Sequence, residues 1–186
     1  PPLELRENEL RDEKERIAVE AARTIRTGTH LFLSSGTTVA AVTPHLCNVG
    51  DLTVITNSLP VINQLAGRSD VELIVVGGMF RHTERSMVSQ FAERMIAEFR
   101  VDTVFMGARA IDADHGVTAD SVAEACTDRA ILKIARERVI LADHTKFGRV
   151  STVAVGPLDQ VDKIITDRID ADDASLISQQ GPVVVA

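Results

Sequence analysis

The pattern of hydrophobic and polar positions changes period regularly along the chain. Ile17, Ala18, Ala21, Ala22 and Ile25 recur at helical intervals and form one apolar stripe, which Gly28 can end. Before that stripe, RENELRDEKER (6–16) is densely charged, so this helix is expected to dock by its second half and project its first. Short β-rich runs then occur at 31–33, 52–56, 71–76, 101–106, 138–142, 152–155, 163–166 and 183–185. Between them, Ile62, Leu65 and Ala66 form one helical stripe, and Val88, Phe91, Met95 and Phe99 form another. Ser121 with Glu124 reads as a capping box opening a helix to about Arg136. Asp170 or Asp172 can cap a last helix that ends before Gly181. Runs of Val and Ile without polar alternation suit strands covered on both faces. The fold class predicted is α/β, a mostly parallel sheet flanked by helices on both faces in a single domain, with no internal repeat.

Composition narrows the functions. A chain of 186 residues can bury a substantial core as one domain. The formal charge is −7, with 27 acidic and 20 basic residues and no Lys/Arg run. Gripping duplex DNA requires a concentrated basic patch, which this chain alone does not offer. Six Phe with no Tyr or Trp argue against a base-stacking platform. Cys47 and Cys126 fall in expected helices without a CxxC pairing, and read as two buried, reduced thiols of a cytoplasmic protein. No apolar run has membrane-spanning length, and no signal peptide precedes the first charges, so no membrane partner is expected. Five histidines show neither HxH nor HExxH spacing, so neither a metal site nor a cofactor is expected.

In open α/β sheets ligands collect outside the carboxyl ends of the strands. The segments at those ends are Ser34-Ser35-Gly36-Thr37-Thr38, Thr56-Asn57-Ser58, Gly77-Gly78, Gly107-Ala108-Arg109 and DHTKFGR (143–149). Glycines admit close backbone approach, while hydroxyls and free N–H groups at a helix start bind oxyanions. Lys146, Arg149 and Arg81 add positive charge. Each segment also has a plainer reading. Residues 34–38 can simply start a helix, and Ser58 can cap one whose first turn holds Pro60. Gly77-Gly78 can be a turn, and Lys146 a solvated charge. Asp112 and Asp114 suit either acid–base work or a polar turn before Gly116. Glu124, Asp128 and Arg129 lie near a helix start and face either a pocket or solvent.

Six segments in order, SSGTT (34–38), TNSLPV (56–61), VELIVVGG (71–78), VDTVFMGA (101–108), GVT (116–118) and LADHTKFGR (141–149), carry a family likeness. The chain resembles the C-terminal effector-sensing domain of DeoR/GlpR-type bacterial transcription regulators, from EKERIA (13–18) to the last strand. The resemblance implies a fold similar to ribose-5-phosphate isomerase, glucosamine-6-phosphate deaminase and CoA transferases. It implies a small-molecule effector, a phosphorylated sugar or similar anion. It also implies a homodimer or homotetramer that reaches DNA only through a winged helix-turn-helix domain preceding this chain. On that basis residues 1–16 are a linker and exposed helix start, and residues 17–186 the sensor. The phosphate would sit on Ser35, Gly36, Thr37 and Thr38 with Lys146, and Asn57, Gly78, Gly107 and Glu124 would help line the pocket.

The sequence departs from that family's pattern near the expected pocket. Ser34 stands where an Asp is usual, Ala108-Arg109-Ala110 replaces Ala-Asp-Gly, Asp128 replaces a Lys, and Ser89-Gln90 replaces Gly-Pro. Arg109 is therefore expected to take over the cationic role missing at position 128, since its fork suits bidentate phosphate contact. Two further functions stay open: an isomerase or deaminase with Asp112 as its remaining carboxylate, and an oligomerisation module with a lost or altered ligand site.

Overall fold

A computed structural model describes residues 2–47, 49–178 and 183–186. Two helices open the chain, α1 (Leu3–Arg6) and α2 (Arg11–Arg23). There follow β1 (His30–Leu33), α3 (Thr37–Ala40), β2 (Leu52–Thr56), α4 (Leu59–Leu65) and β3 (Val71–Val75). A hairpin, β4 (Met79–Arg81) and β5 (Ser86–Val88), leads into α5 (Gln90–Ala97) and β6 (Val101–Gly107). Next come β7 (Ala110–Asp112), β8 (Gly116–Ala119), α6 (Val122–Lys133), β9 (Ala135–Leu141) and β10 (Val153–Gly156). The chain closes with β11 (Lys163–Thr166), α7 (Ala171–Ser178) and β12 (Val183–Val185).

Seven strands form one sheet in the order β12-β11-β9-β6-β1-β2-β3, and every neighbouring pair is parallel. Period-two geometry sends successive side chains to opposite faces. Phe32, Val104, Met106 and Ile140 enter one core with Ala92 and Ile96 of α5 and Ala125, Ile131 and Leu132 of α6. Leu31, Leu33, Phe105, Val139 and Leu141 enter the other with Ile17, Ala18 and Ala21 of α2, Val39 of α3, and Val61 and Leu65 of α4. Both faces are covered, which is why the strands read as unbroken apolar runs. Ile17 is fully buried, a burial that contributes about 1.5–3 kcal/mol.

Several expected elements differ in detail. The α6 helix stops at Lys133 rather than near Arg136, because β9 starts at Ala135 and pairs it with Val101. On α4 the buried positions are Val61 and Leu65, while Ala66 is exposed, so the core stripe runs one residue earlier than read for Ile62. Val88 belongs to β5 and Phe91 is 76% exposed, leaving Ala92 and Ile96 as the buried face of α5. The run at 152–155 becomes β10, which joins β8 and β7 in a separate antiparallel sheet. For the last helix, the backbone carbonyl of Asp170 accepts from Ala174 N–H at 2.8 Å, and Gly181 lies outside the described residues.

The charged start does not simply project. Leu3 is buried, its N–H donates to Thr83 O at 2.8 Å, and Arg6 pairs with Glu84 of the β4–β5 turn. Lys14, one helical turn before Ile17 and Ala18, continues their stripe and is 6% exposed. The cysteines also differ from expectation. Cys47 is exposed, because Leu46 takes the core position at the end of the short 3₁₀ turn Thr43–Leu46, and Cys126 is only half-buried. Among the described residues, no helix is long and apolar enough to cross a membrane.

Candidate functional site

The order of the strands locates the site. From β1 the chain steps outward through β2 and β3, whereas β6, β9, β11 and β12 step the other way. Loops leaving β1 and β6 therefore diverge and open a crevice at their carboxyl ends. A cavity of about 650 Å³ lies there, a size that suits a small metabolite. Its wall includes the turn Ser34 to Thr38, Gly107 to Arg109 after β6, and Asp143, Thr145, Lys146 and Arg149 after β9.

The turn after β1 is held in an unusual backbone shape. Gly36 has φ 122° and ψ 151°, a region that only glycine enters at low cost. A Cβ at Gly36 would meet nothing within 4 Å, so the glycine serves conformation and the turn stays open to the cavity. The first amide with an intrahelical acceptor is that of Ala40, which donates to Gly36 O at 3.0 Å. The amides of Thr37 and Thr38 precede it and suit an external oxyanion. Ser34 N–H donates to Phe105 O at 3.0 Å and ties the β1 turn to β6.

Two lysines approach this turn from different elements. Lys146 Nζ lies 3.7 Å from Asp143 Oδ2, and Asp143 itself is buried and accepts Thr145 N–H at 3.0 Å. Lys14 reaches the same wall from α2, with Nζ donating to Arg6 O at 2.5 Å. Burial lowers the Lys14 pKa, Asp143 opposes that shift, and Lys146 and Arg6 reinforce it. The two lysines thus repel each other, and Asp143 offsets that repulsion at Lys14.

The α6 side of the cavity is acidic. Ser121 Oγ accepts Glu124 N–H at 3.2 Å, as the capping box requires, but the Glu124 side chain turns to Arg81, Nη1 to Oε2 2.8 Å. One turn on, Asp128 has its carboxyl raised well above the usual range, first by burial and then by Glu124, with Arg81 and Arg129 opposing. Asp120 pairs with Arg109 at 2.5 Å and accepts from Ser151 Oγ. Burial pushes the Asp120 carboxyl up, yet the hydrogen bond from Ser151 and the charge of Arg109 together bring it below the usual range.

Of the residues expected at the site, Ser34, Ser35, Gly36, Thr37, Thr38, Gly107, Arg109, Glu124, Asp128 and Lys146 share the cavity wall. Asn57, Gly78 and Arg81 do not line it. Asn57 is buried under the hairpin, with Nδ2 donating to Met87 O at 3.0 Å, and Gly78 packs against Val88 and Ala92. Arg81 acts from behind the wall through Glu124. Arg109 lines the cavity and pairs there with Asp120, while the cationic charges felt by Asp128 are those of Arg81 and Arg129. Ser58 holds the N-cap position of α4 without a side-chain cap bond, although Pro60 does sit in the first turn. Asp112 closes the β7–β8 turn, with Oδ1 accepting the N–H groups of Asp114 and His115 at 3.0 and 2.9 Å. Arg6, Leu10, Lys14, Glu84 and the β8 residues Val117 to Ala119 also line the cavity without having been picked from the sequence. Only Lys14 carried a signal, its place on the stripe of Ile17 and Ala18.

A parallel sheet with a cavity at its switch point is the arrangement in which open α/β folds place their ligands. Residues 9–168 match the DeoR C terminal sensor domain, and the chain belongs to that family. It is 36% identical over 156 residues to the glycerol-3-phosphate regulon repressor of Escherichia coli (strain K12), covering 84% of this chain and 62% of that protein. It is 31% identical over 167 residues to the HTH-type transcriptional regulator IolR of Bacillus subtilis (strain 168), covering 90% of this chain and 66% of that one. The chain therefore spans just under two thirds of these relatives, which are transcriptional regulators. Among solved structures, eIF2B beta from Chaetomium thermophilum matches with TM-score 0.62 and 17% identity over 91% of this chain and 54% of that one. Ribose 5-phosphate isomerase A from Methanocaldococcus jannaschii matches with TM-score 0.53 and 19% identity over 74% of this chain and 54% of that one. At such identities these two share the fold alone.

Proposed function

We propose that this chain is the effector-sensing part of a transcriptional regulator, and that a phosphorylated sugar or related anionic metabolite binds at the β1/β6 switch point. The anion would rest on the Ser35–Thr38 turn between Lys146 and Lys14. The observation that carries this reading is the meeting of those three elements in one cavity of about 650 Å³. A relative whose name includes glycerol-3-phosphate supports a phosphate ester. DNA would be read by a winged helix-turn-helix domain outside this chain.

Lys14 supplies a route for the signal. It belongs to α2, so an anion that draws Lys14 inward favours one setting of α2 and of whatever α2 is joined to. Such coupling requires different effector affinities in the two settings, worth about 1–3 kcal/mol. Self-association into a dimer or tetramer is supported by the exposed apolar side chains Met79, Phe91 and Val122. The enzyme reading loses its carboxylate, because Asp112 is committed to its turn and lies outside the cavity wall.

Thermal melting with inorganic phosphate, glycerol 3-phosphate and glucose 6-phosphate tests the proposal. A ligand at a hundredfold excess over its dissociation constant adds about 2.7 kcal/mol of stability. Lys146→Ala should cut that gain to about 1.4 kcal/mol or less at the same ligand concentration. Absence of a shift with every ester overturns the reading.

A further inference from the structure

The cavity is chemically two-sided. Lys14 and Lys146 stand by the Ser-Gly-Thr turn, while Glu124 and Asp128, four residues apart on one face of α6, stand in the acidic wall. Most carboxylates in that wall already have a partner of opposite charge. Glu84 has Arg6, Asp120 has Arg109, Glu124 has Arg81, and Asp143 has Lys146. Asp128 is different: it makes no hydrogen bond or ion pair among the described residues, yet it lines the cavity and is half-buried. The charge of Arg81 is already engaged by Glu124, and Arg129, the next residue along α6, turns its guanidinium to Cys126 Sγ at 3.4 Å rather than to Asp128.

We propose that the effector of this chain carries a protonated nitrogen as well as its anionic group, and that Asp128, flanked by Glu124, selects that nitrogen. This proposal rests on the anion-site reading above and adds the other end of the ligand. A carboxyl withdrawn from water resists ionisation unless a cation accompanies it. A hydroxyl guest lets Asp128 keep its proton and adds one neutral hydrogen bond. An ammonium guest instead forms a charge-assisted bond to the carboxylate, roughly twice as strong as a neutral one. An amino sugar phosphate, or another phosphate ester of an amine, presents both charges on one small molecule.

The test uses pairs of esters that differ in one nitrogen, titrated calorimetrically into the 186-residue chain. Glucosamine 6-phosphate is compared with glucose 6-phosphate, and 2-aminoethyl phosphate with 2-hydroxyethyl phosphate. The amine of at least one pair is expected to bind roughly tenfold more tightly than its partner. Asp128→Asn should erase that preference, bringing the affinity ratio within each pair close to one, and Asp128→Lys should reverse it. Equal binding within both pairs, indifferent to Asp128→Asn, overturns the proposal and leaves the anion site standing. If neither the esters nor inorganic phosphate binds, the anion site falls and the proposal falls with it. Should either variant fail to fold, the preference of the unmodified chain within each pair still decides the matter.

Discussion

Gly36 follows the central strand β1 and Gly78 the edge strand β3, and in the sequence both look like places where backbone meets a ligand. Their surroundings differ. A Cβ added at Gly36 points into open space, whereas one added at Gly78 would lie 2.7 Å from Val88 O and 3.1 Å from Ala92 Cβ. The first glycine keeps a turn in a shape that faces the cavity, and the second lets the β4–β5 hairpin and α5 pack on the sheet. A glycine at a strand end marks a binding turn only where the missing side chain leaves the space empty.

The largest effect expected from this contrast is on stability. Gly78→Ala forces backbone apart and should cost about 3 kcal/mol in urea denaturation. Gly36→Ala meets no neighbour, so its cost is backbone strain alone, about 1–2 kcal/mol. Equal losses would break the contrast. Next in size is ligand binding: Lys146→Ala should weaken phosphate-ester affinity about tenfold or more by calorimetry, while Gly78-side variants such as Asn57→Ala leave it unchanged if they fold.

Ser89 sharpens the packing side. It has φ 118°, where a side chain is strained, and its Oγ is buried without a partner. Ser89→Gly should therefore raise stability by about 1 kcal/mol, read as a higher denaturation midpoint at an unchanged slope.

The smallest effect is a matter of pH. Because the folded state raises the Asp128 carboxyl above its unfolded value, it holds that proton more tightly. The resulting stability is present at low pH and is lost as pH climbs from the ordinary carboxylate range through the folded pKa. Asp128→Asn should flatten that decline, and identical pH profiles would show the carboxyl to be ordinary.

Much of this architecture could be read from residues. Val and Ile runs such as 138–142 and 163–166 announced strands buried on both faces, and Ser121 with Glu124 announced α6. The short antiparallel strands did not show. β4, β5, β7 and β8 have three or four residues each, too few for a period, and they contain Arg81, Ser86 and Gly116, which read as turn. At the site, the SSGTT and DHTKFGR loops were recognisable because hydroxyls, glycines and a lysine cluster there. Lys14 was hidden among nine charged or polar neighbours in 6–16, and only its spacing from Ile17 and Ala18 betrays its burial. Asn57 and Gly78, which the family resemblance places in the pocket, lie outside the cavity wall because the β4–β5 hairpin covers the end of β2.

The central pairing of β1 with β6 has a consequence for the order of folding. Leu31 to Leu33 sit beside Thr103 to Phe105, with three helices and four strands of sequence between them. Such distant contacts form only after a long loop has closed. On a ribosome, the turn Ser34 to Thr38 emerges before the opposite wall of its cavity, which waits for β6 and β9 to follow. A metabolite can therefore reward only the finished sheet, stabilising the native chain against unfolding without hastening its first steps.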